Sequence, residues 1–186
     1  MPCFIFSISQ LIRDVISSYV DIENKNILHF SPEKNLYKFL KAKARIITVD
    51  IAPAFYLNID DAIRYADATR LQFNDQSFDL LIPNHILEHI PDDRAAMKEM
   101  YRVLRDDGLA ILQVPYSETL SSTIEGPFIN DPHKQEFLYG QKDHVRIYSR
   151  KDYIDRLQEC GFCVTVLTPG DLAAFKNHAV QEEESV

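Results

Sequence analysis

The sequence predicts an α/β fold in which a doubly wound, mostly parallel sheet carries helices on both faces. Apolar runs of strand length recur along the 186-residue chain, and stretches with helical periodicity lie between them. Strands of a parallel sheet are covered on both faces, so near-continuous apolar runs are typical of them. The predicted strands are residues 27–30, 45–50, 78–83, 109–115 and 162–167, with a short further strand near 63–66.

Helical patterns alternate with these strands. An amphipathic helix is predicted from Ser9 onward, because its apolar residues form a single stripe. Asp92 or Asp93 can cap a later helix, and Gly108 is expected to break the chain before the next strand. The predicted helices after the first are residues 34–43, 92–105 and 149–160.

The length favours one domain over residues 1–186, since a domain usually has about 100–200 residues. We expect an N-terminal helical segment in residues 1–24 and a frayed tail in residues 169–186. Residues 116–148 fit no periodic template. A long segment without regular structure inside a compact domain is typically a lid, a binding loop or disordered, and we expect a lid or substrate-binding insertion here.

Composition argues against several classes of partner. The chain has 20 Lys and Arg against 28 Asp and Glu, a net charge of −8, and its basic residues are scattered. A protein that binds nucleic acid or an anionic membrane would show a basic patch, so neither partner is expected. Three cysteines are too few, and odd in number, for a disulfide framework, which favours the cytoplasm. The N-terminus lacks the basic region and cleavage site of a signal peptide.

Polar residues follow the predicted strands, where ligands of open α/β sheets bind. They are Ser31, Pro32 and Glu33 after the first strand, Asp50 after the second, Asp67 after the third, Asn84 and His85 after the fourth, and Tyr116 after the fifth. Asp50 comes 19 positions after Ser31, close to the interval of about 20 at which nucleotide-binding units place a carboxylate on the ribose hydroxyls. Alternatively, Asp50 is an ordinary strand-end residue that caps the next turn.

Three segments form a recognisable pattern: YADATRLQF at 65–73, SFDLLIPNHILEHIPDD at 77–93 and YRVLRDDGLAILQVP at 101–115. Together they resemble the S-adenosylmethionine-dependent methyltransferases of the Rossmann-like class, small-molecule type. Within that class the chain resembles a bacterial subgroup with a His-Phe-Ala/Ser-Pro-Glu first turn and a Gly-Gln-x-Asp-His-Val-Arg-x-Tyr loop, here HFSPE (29–33) and GQKDHVRIY (140–148). The resemblance covers about residues 26–168.

The resemblance implies that the cofactor is S-adenosylmethionine, converted to S-adenosylhomocysteine. It implies that Asp50 binds the ribose, that Asp67 meets the adenine amino group, and that Asn84 and His85 line the methionine end. The full set of implied cofactor-binding residues is Phe30, Ser31, Pro32, Glu33, Asp50, Ile51, Asp67, Ala68, Asn84 and His85.

The first turn departs from the family pattern. His29 stands where most relatives have an acidic residue, no glycine precedes Gly108, and Pro32 removes a backbone donor. The chain also offers no convincing strand after residue 167, whereas relatives usually end in an antiparallel pair, so the last strand is expected to be missing. A homodimer is one way to cover the sheet edge left open. The alternative to an enzyme is a non-catalytic Rossmann-like module; a nicotinamide-dependent oxidoreductase ranks last, because the glycine fingerprint is absent.

Two motifs suggest other chemistry. HILEH (85–89) matches the His-x-x-Glu-His pattern of one zinc-peptidase class, but Pro91 limits any helix there to about one turn, so no metal site is predicted. Cys160 and Cys163 form a Cys-x-x-Cys pair at the end of a helix rather than at its start, so both are expected in the core.

The acceptor is expected to be a small or cell-envelope-type molecule bound near the insertion. The predicted catalytic residues are His89 and His144; His89 is a base or packs under the cofactor, and both interpretations stay open. Tyr116, Arg146 and Tyr148 are the predicted substrate-binding residues, with Arg146 as an anchor for an acidic group. The alternative is that Asp143 and Arg146 only hold the loop against the sheet.

Overall fold

A computed structural model describes residues 8–126 and 129–167 of the chain. Its main sheet has five parallel strands in the order β3-β2-β1-β4-β5. These are β1 (Asn26–Phe30), β2 (Arg45–Asp50), β3 (Arg64–Tyr65), β4 (Phe78–Ile82) and β5 (Leu104–Ala110). This strand order is that of a doubly wound sheet, so the predicted fold class is confirmed.

Helices cover both faces of the sheet. The helices are α1 (Ile8–Tyr19), α2 (Lys34–Lys41), α3 (Asp93–Val103), α4 (Pro132–Tyr139) and α5 (Arg150–Glu159), with a 3₁₀ turn at Pro53–Tyr56. One core cluster joins α1 and α2 to Ile27, Leu80 and Ile82 of the sheet. A second cluster joins α3 and α5 to the opposite face, through Leu28 and Leu81. The alternating side chains of β1 and β4 therefore serve two separate cores.

The order of the strands reverses between β1 and β4, which lie side by side at the centre of the sheet. Their register pairs Ile27 with Leu80 and His29 with Ile82, so both strands end at the same edge. This edge, at the carboxyl ends of β1 and β4, is where such sheets bind their ligands. The topology therefore brings the residues after Phe30 and Ile82 to one place.

The predicted insertion at 116–148 contains regular structure that the sequence did not reveal. A second sheet has the order β6-β8-β7, with β6 (Tyr116–Ser117), β7 (Ile124–Glu125) and β8 (Arg146–Ser149). Strands of two residues are too short to show alternation, and α4 buries only Gln135 and Tyr139. A helix that is exposed on most of its surface has no apolar stripe to detect.

The predictions for two strands were wrong. The fifth strand is Leu104–Ala110 rather than 109–115, and it begins directly after α3, so Gly108 lies inside the strand. Residues 162–167 form no strand, because no described segment pairs with them. Within the described residues, β5 is consequently an edge strand. The predicted tail, 169–186, and the first seven residues of the predicted segment 1–24 lie outside the described residues.

None of the helices in residues 8–126 and 129–167 combines the length and the apolar composition needed to cross a membrane.

Candidate functional site

Two turns with unusual backbone geometry lie at the point where the strand order reverses. Ser31, directly after β1, has φ +44°, and His85, three residues after β4, has φ +50°. This left-handed region costs a non-glycine residue about 1 kcal/mol or more. The first turn therefore has, with a serine, a conformation that favours glycine, although the sequence lacks glycine there. Strain of this kind tends to accumulate at functional sites.

Asp50 is held at the end of β2 by the first turn. Its Oδ2 accepts a hydrogen bond from Ser31 Oγ at 2.6 Å, and its Oδ1 accepts one from the Ala52 N–H at 2.6 Å. The Ser31 N–H in turn donates to the Val49 carbonyl at 3.0 Å. A carboxylate oxygen has two lone pairs, so Asp50 keeps acceptor capacity for a further donor. Asp50 thus caps its own turn and can still bind a ligand.

The other cofactor-binding candidates have mixed surroundings. Asp67 accepts hydrogen bonds from Thr69 N–H and Oγ1 at 2.8 and 2.7 Å, and it lies one strand away from Asp50. The side chains of Phe30 and Ala68 are part of the hydrophobic core, so only their backbone can face a ligand. Pro32 is buried and Glu33 is the N-cap residue of α2, whereas the Ile51 side chain is 60% exposed.

Buried polar atoms without partners are concentrated in the segment after β4. Seven such side-chain atoms occur in the described residues, and four of them belong to Asn84, His85 and Glu88. Both amide atoms of Asn84 are among them, although the residue is only 7% exposed. Because buried polar groups are nearly always hydrogen bonded, these atoms mark the segment as a candidate ligand site.

His85 and Glu88 form an ion pair within this segment. His85 Nδ1 lies 3.2 Å from Glu88 Oε1, and this hydrogen bond raises the pKa of the His85 imidazole above its ordinary value. The negative charge of Glu33 acts in the same direction. Glu88 is 1% exposed. This edge of the sheet thus carries a buried carboxylate with an imidazole on one of its oxygens.

The two predicted catalytic histidines are neighbours in space. The rings of His89 and His144 pack edge to face with their centroids 4.7 Å apart, and Asp143 Oδ2 lies 3.3 Å from His89 Nδ1. Burial lowers the pKa of His144, and the adjacent His89 lowers it further. The Val145 N–H donates to the Glu88 carbonyl at 2.9 Å, which ties the 140–148 loop to the segment after β4.

Arg146 and Tyr148 were predicted to bind substrate, but both are buried in the structure. Arg146 is 1% exposed; it donates to Glu125 and to the carbonyl oxygens of Leu87, Ile90 and Pro91. Tyr148 is 0% exposed, and its hydroxyl donates to Asp93 Oδ2 at 2.7 Å. Neither side chain is open to a substrate, so the alternative interpretation, that Arg146 holds the loop, fits the structure. Tyr116 is 48% exposed and lines a groove of about 1550 Å³ between β5 and α5.

The sequence did not reveal the network around Arg146. Arg156, on α5, donates to Asp93 at 2.6 Å and to both oxygens of Glu125, and it lowers the pKa of Glu125. The one available signal was the position of Arg156 on the same helix face as Tyr153 and Cys160.

The two other motifs are placed as follows. The segment 85–89 forms turns rather than a helix, as Pro91 indicated. Cys160 is buried, and burial raises the pKa of its thiol. Cys163 is exposed, so its predicted place in the core was wrong; no strand forms at 162–167 to cover it.

Comparison with known proteins points to one family. Residues 31–112 match the sequence model of a family described as a methyltransferase domain. Over 117 residues the chain is 28% identical to the ubiquinone/menaquinone biosynthesis C-methyltransferase of Bdellovibrio bacteriovorus, a match that covers 55% of this chain and 49% of that protein. The match therefore spans about half the length of this curated relative.

Solved structures share the fold. The YcgJ protein from Bacillus subtilis matches with a TM-score of 0.63 and 17% identity, over 94% of this chain and 81% of its own. Phosphoethanolamine N-methyltransferase 2 of Haemonchus contortus, solved with phosphomonomethylethanolamine and S-adenosylhomocysteine, matches with a TM-score of 0.61 and 17% identity, over 96% of this chain and 44% of its own. The chain thus has the fold of these structures, and its residues 31–112 match a methyltransferase domain.

Proposed function

We propose that this chain transfers a methyl group from S-adenosylmethionine to a small-molecule acceptor. The sequence match over residues 31–112 and the methyltransferase fold support the reaction class. The observation that carries the cofactor site is the buried Asn84 amide, whose two polar atoms have no partner in the described part of the chain. It lies at the edge of the sheet where the strand order reverses, where Ser31 and His85 have positive φ.

The residues at this edge fit the cofactor. Asp50 keeps lone pairs for the ribose hydroxyls while Ser31 and Ala52 fix its orientation. The Asn84 amide offers one donor group and one acceptor to the polar methionine end. Asp67, one strand further out, can accept from an exocyclic amine. The first turn has no glycine, but Ser31 takes the positive φ that a glycine would adopt there, so the turn keeps its backbone conformation.

The protein's contribution to the reaction is position and exclusion of water. When bound, S-adenosylmethionine supplies a methyl group that its sulfonium already activates. The chain's residues have to hold the acceptor atom close and in line, which is worth several kcal/mol through effective molarity. The 140–148 loop, tied to Glu88 through the Val145 N–H and to the 87–91 carbonyls through Arg146, forms a fixed wall for that purpose.

His89 and His144 are the proposed bases. An acceptor hydroxyl or ammonium group has to lose a proton when it is methylated, and an imidazole nitrogen can take it. Asp143 orients the His89 ring. Because the two rings are in contact, one imidazole can accept the proton while the other holds the first ring in position.

The test is a calorimetric titration with S-adenosylmethionine and S-adenosylhomocysteine. Both are expected to bind with micromolar affinity or better, and Asp50→Ala is expected to abolish the signal. Asp61→Ala is the matched control, since Asp61 is exposed and lies in the same loop region. If the unmodified chain binds neither compound, the proposal fails.

A second assay separates the enzyme from the alternative of a non-catalytic module. Transfer of a labelled methyl group would be followed over a panel of small acceptors. Quinone-type rings belong in the panel, because the curated relative is named for ubiquinone and menaquinone biosynthesis. Binding without transfer to any acceptor would favour the module.

The proposed location of the chain is the cytoplasm, because three cysteines, an odd number, do not suit a disulfide framework.

A homodimer is proposed to cover the β5 edge, where Leu109 is 41% exposed. Light scattering in solution tests this: a monomer at all concentrations would contradict it.

A further inference from the structure

Glu88, His89 and His144 form a cluster that neither the family resemblance nor the comparisons explain. Each offers one ligand atom, and the three atoms lie within 4.8 Å of one another. Around a tetrahedral cation with metal–ligand bonds of about 2.0–2.1 Å, ligand atoms lie about 3.4 Å apart. Shifts of about 1 Å at the side-chain tips would therefore close the cluster around an ion.

Glu88 provides an independent sign that the cluster takes a ligand. Its carboxylate is 1% exposed; Oε1 faces His85, whereas Oε2 has no hydrogen-bond partner in the described residues. A buried carboxylate oxygen without a partner is strongly unfavourable in an apolar environment. A cation bound at the cluster would remove this cost.

The surrounding contacts already orient the three side chains. Asp143 Oδ2 lies 3.3 Å from His89 Nδ1, which leaves the other ring nitrogen of His89 to bind a cation. His85 holds Glu88 by one oxygen and leaves the second available. The His144 carbonyl accepts a hydrogen bond from Gln135 Nε2 at 3.0 Å, which fixes the backbone that carries this ligand. Carboxylates on ligating histidines are typical of metal sites.

We propose that Glu88, His89 and His144 bind a divalent transition-metal ion, of which Zn²⁺ fits the donor set best. Two imidazoles and one carboxylate are the protein ligands of open zinc sites, in which a water or another small ligand takes the fourth position. The site differs from the one that the HILEH motif suggested, because His85 binds Glu88 instead of serving as a ligand. With the ion bound, the two imidazoles are occupied, so the base role proposed above belongs to the metal-free protein.

The experiment is a titration of the chelator-treated full chain with Zn²⁺ by calorimetry, and with Co²⁺ by visible absorption. One ion per chain is expected to bind with micromolar affinity or better, and Co²⁺ should give the intense bands of a four-coordinate site. Glu88→Gln and His144→Ala should each weaken binding at least tenfold. His133→Ala is the matched control, because His133 is exposed on α4 outside the cluster. Its affinity should equal that of the unmodified chain.

Absence of saturable binding, or equal affinity in the Glu88→Gln and His144→Ala variants, would overturn the proposal. Circular dichroism checks the fold of each variant; should the buried Glu88→Gln or His144→Ala fail to fold, His89→Ala gives the same test at a less buried ligand. The titration needs neither cofactor nor acceptor. Failure of the metal titration would therefore leave the methyl-transfer proposal intact. Failure of the cofactor titration would likewise leave the metal-site proposal intact.

Discussion

Arg146→Met should destabilise the protein by about 3–5 kcal/mol. Arg146 is 1% exposed and donates to Glu125 at 3.0 Å, to the Leu87 and Pro91 carbonyls at 2.8 Å each, and to the Ile90 carbonyl. Methionine preserves most of the side-chain volume but leaves the Ile90 and Pro91 carbonyls without this donor, whereas Glu125 keeps Arg156 and the Leu87 carbonyl keeps the Tyr148 hydroxyl at 3.4 Å. Each buried polar group that loses its partner costs about 1–3 kcal/mol, so the lost donor at two carbonyls supports a total of about 3–5 kcal/mol, a large part of a typical stability of about 5–15 kcal/mol.

The assay is thermal and urea unfolding followed by circular dichroism. For a chain of this size, 1 kcal/mol corresponds to about 2–4 °C in Tm, so Arg146→Met is expected to lower Tm by roughly 6–20 °C. Arg64→Met, at an exposed position on β3, is the control and should change stability by less than about 0.5 kcal/mol. Arg146→Lys should fall between them, because an ammonium group donates from a single nitrogen, whereas the planar guanidinium reaches Glu125 and the three carbonyls from three nitrogens. A loss below about 1 kcal/mol for Arg146→Met would refute the assignment of Arg146 as the anchor of the 87–91 segment.

Three further predictions concern other residues. Asn84→Leu should raise Tm, because it removes a buried amide that has no hydrogen-bond partner and whose burial costs about 1–3 kcal/mol. The same variant should weaken S-adenosylhomocysteine binding at least tenfold. Normal binding by this variant would contradict the role of Asn84. Glu99 accepts two hydrogen bonds from Arg102 at 2.8 Å, which lower its pKa from the ordinary value of 4.5. The stability that Glu99 contributes is therefore complete above about pH 5, and is lost as pH falls through the lower folded pKa. Unfolding curves of Glu99→Gln should differ from the unmodified chain by about 1–2 kcal/mol at pH 7 and converge with it near pH 2; a constant difference across this range would argue against the ion pair. In the metal-free protein, His144→Ala should lower turnover with a confirmed acceptor while cofactor affinity is unchanged, and equal turnover would remove His144 from the mechanism.

The central strands could be predicted from sequence because they are buried on both faces. The strand observed at Arg45–Asp50 matches the prediction residue for residue, and those at Asn26–Phe30 and Phe78–Ile82 differ by one residue. The edge strand could not be found in this way. Its sequence, LRDDGLA, is half exposed and has no continuous apolar run. The apolar run at 162–167 failed for the opposite reason, since apolar residues without a pairing partner do not make a strand.

The site was predictable only where topology determines it. Ser31, Asp50 and Asn84 follow neighbouring strands, so strand order alone places them at one edge. The contact between His89 and His144 joins segments 55 residues apart, and no local pattern reports it. The same holds for Arg146, which was predicted to anchor a substrate. Its carbonyl partners lie 55 to 59 residues away in sequence, so no local pattern indicated them.

A crystal structure of the chain with S-adenosylhomocysteine would test the central claim most directly. The ribose is expected within hydrogen-bond distance of the Asp50 carboxylate, and the amino-acid end at the Asn84 amide, with Ser31 and His85 still at positive φ. Ligand density elsewhere, for example in the groove between β5 and α5, would contradict the account.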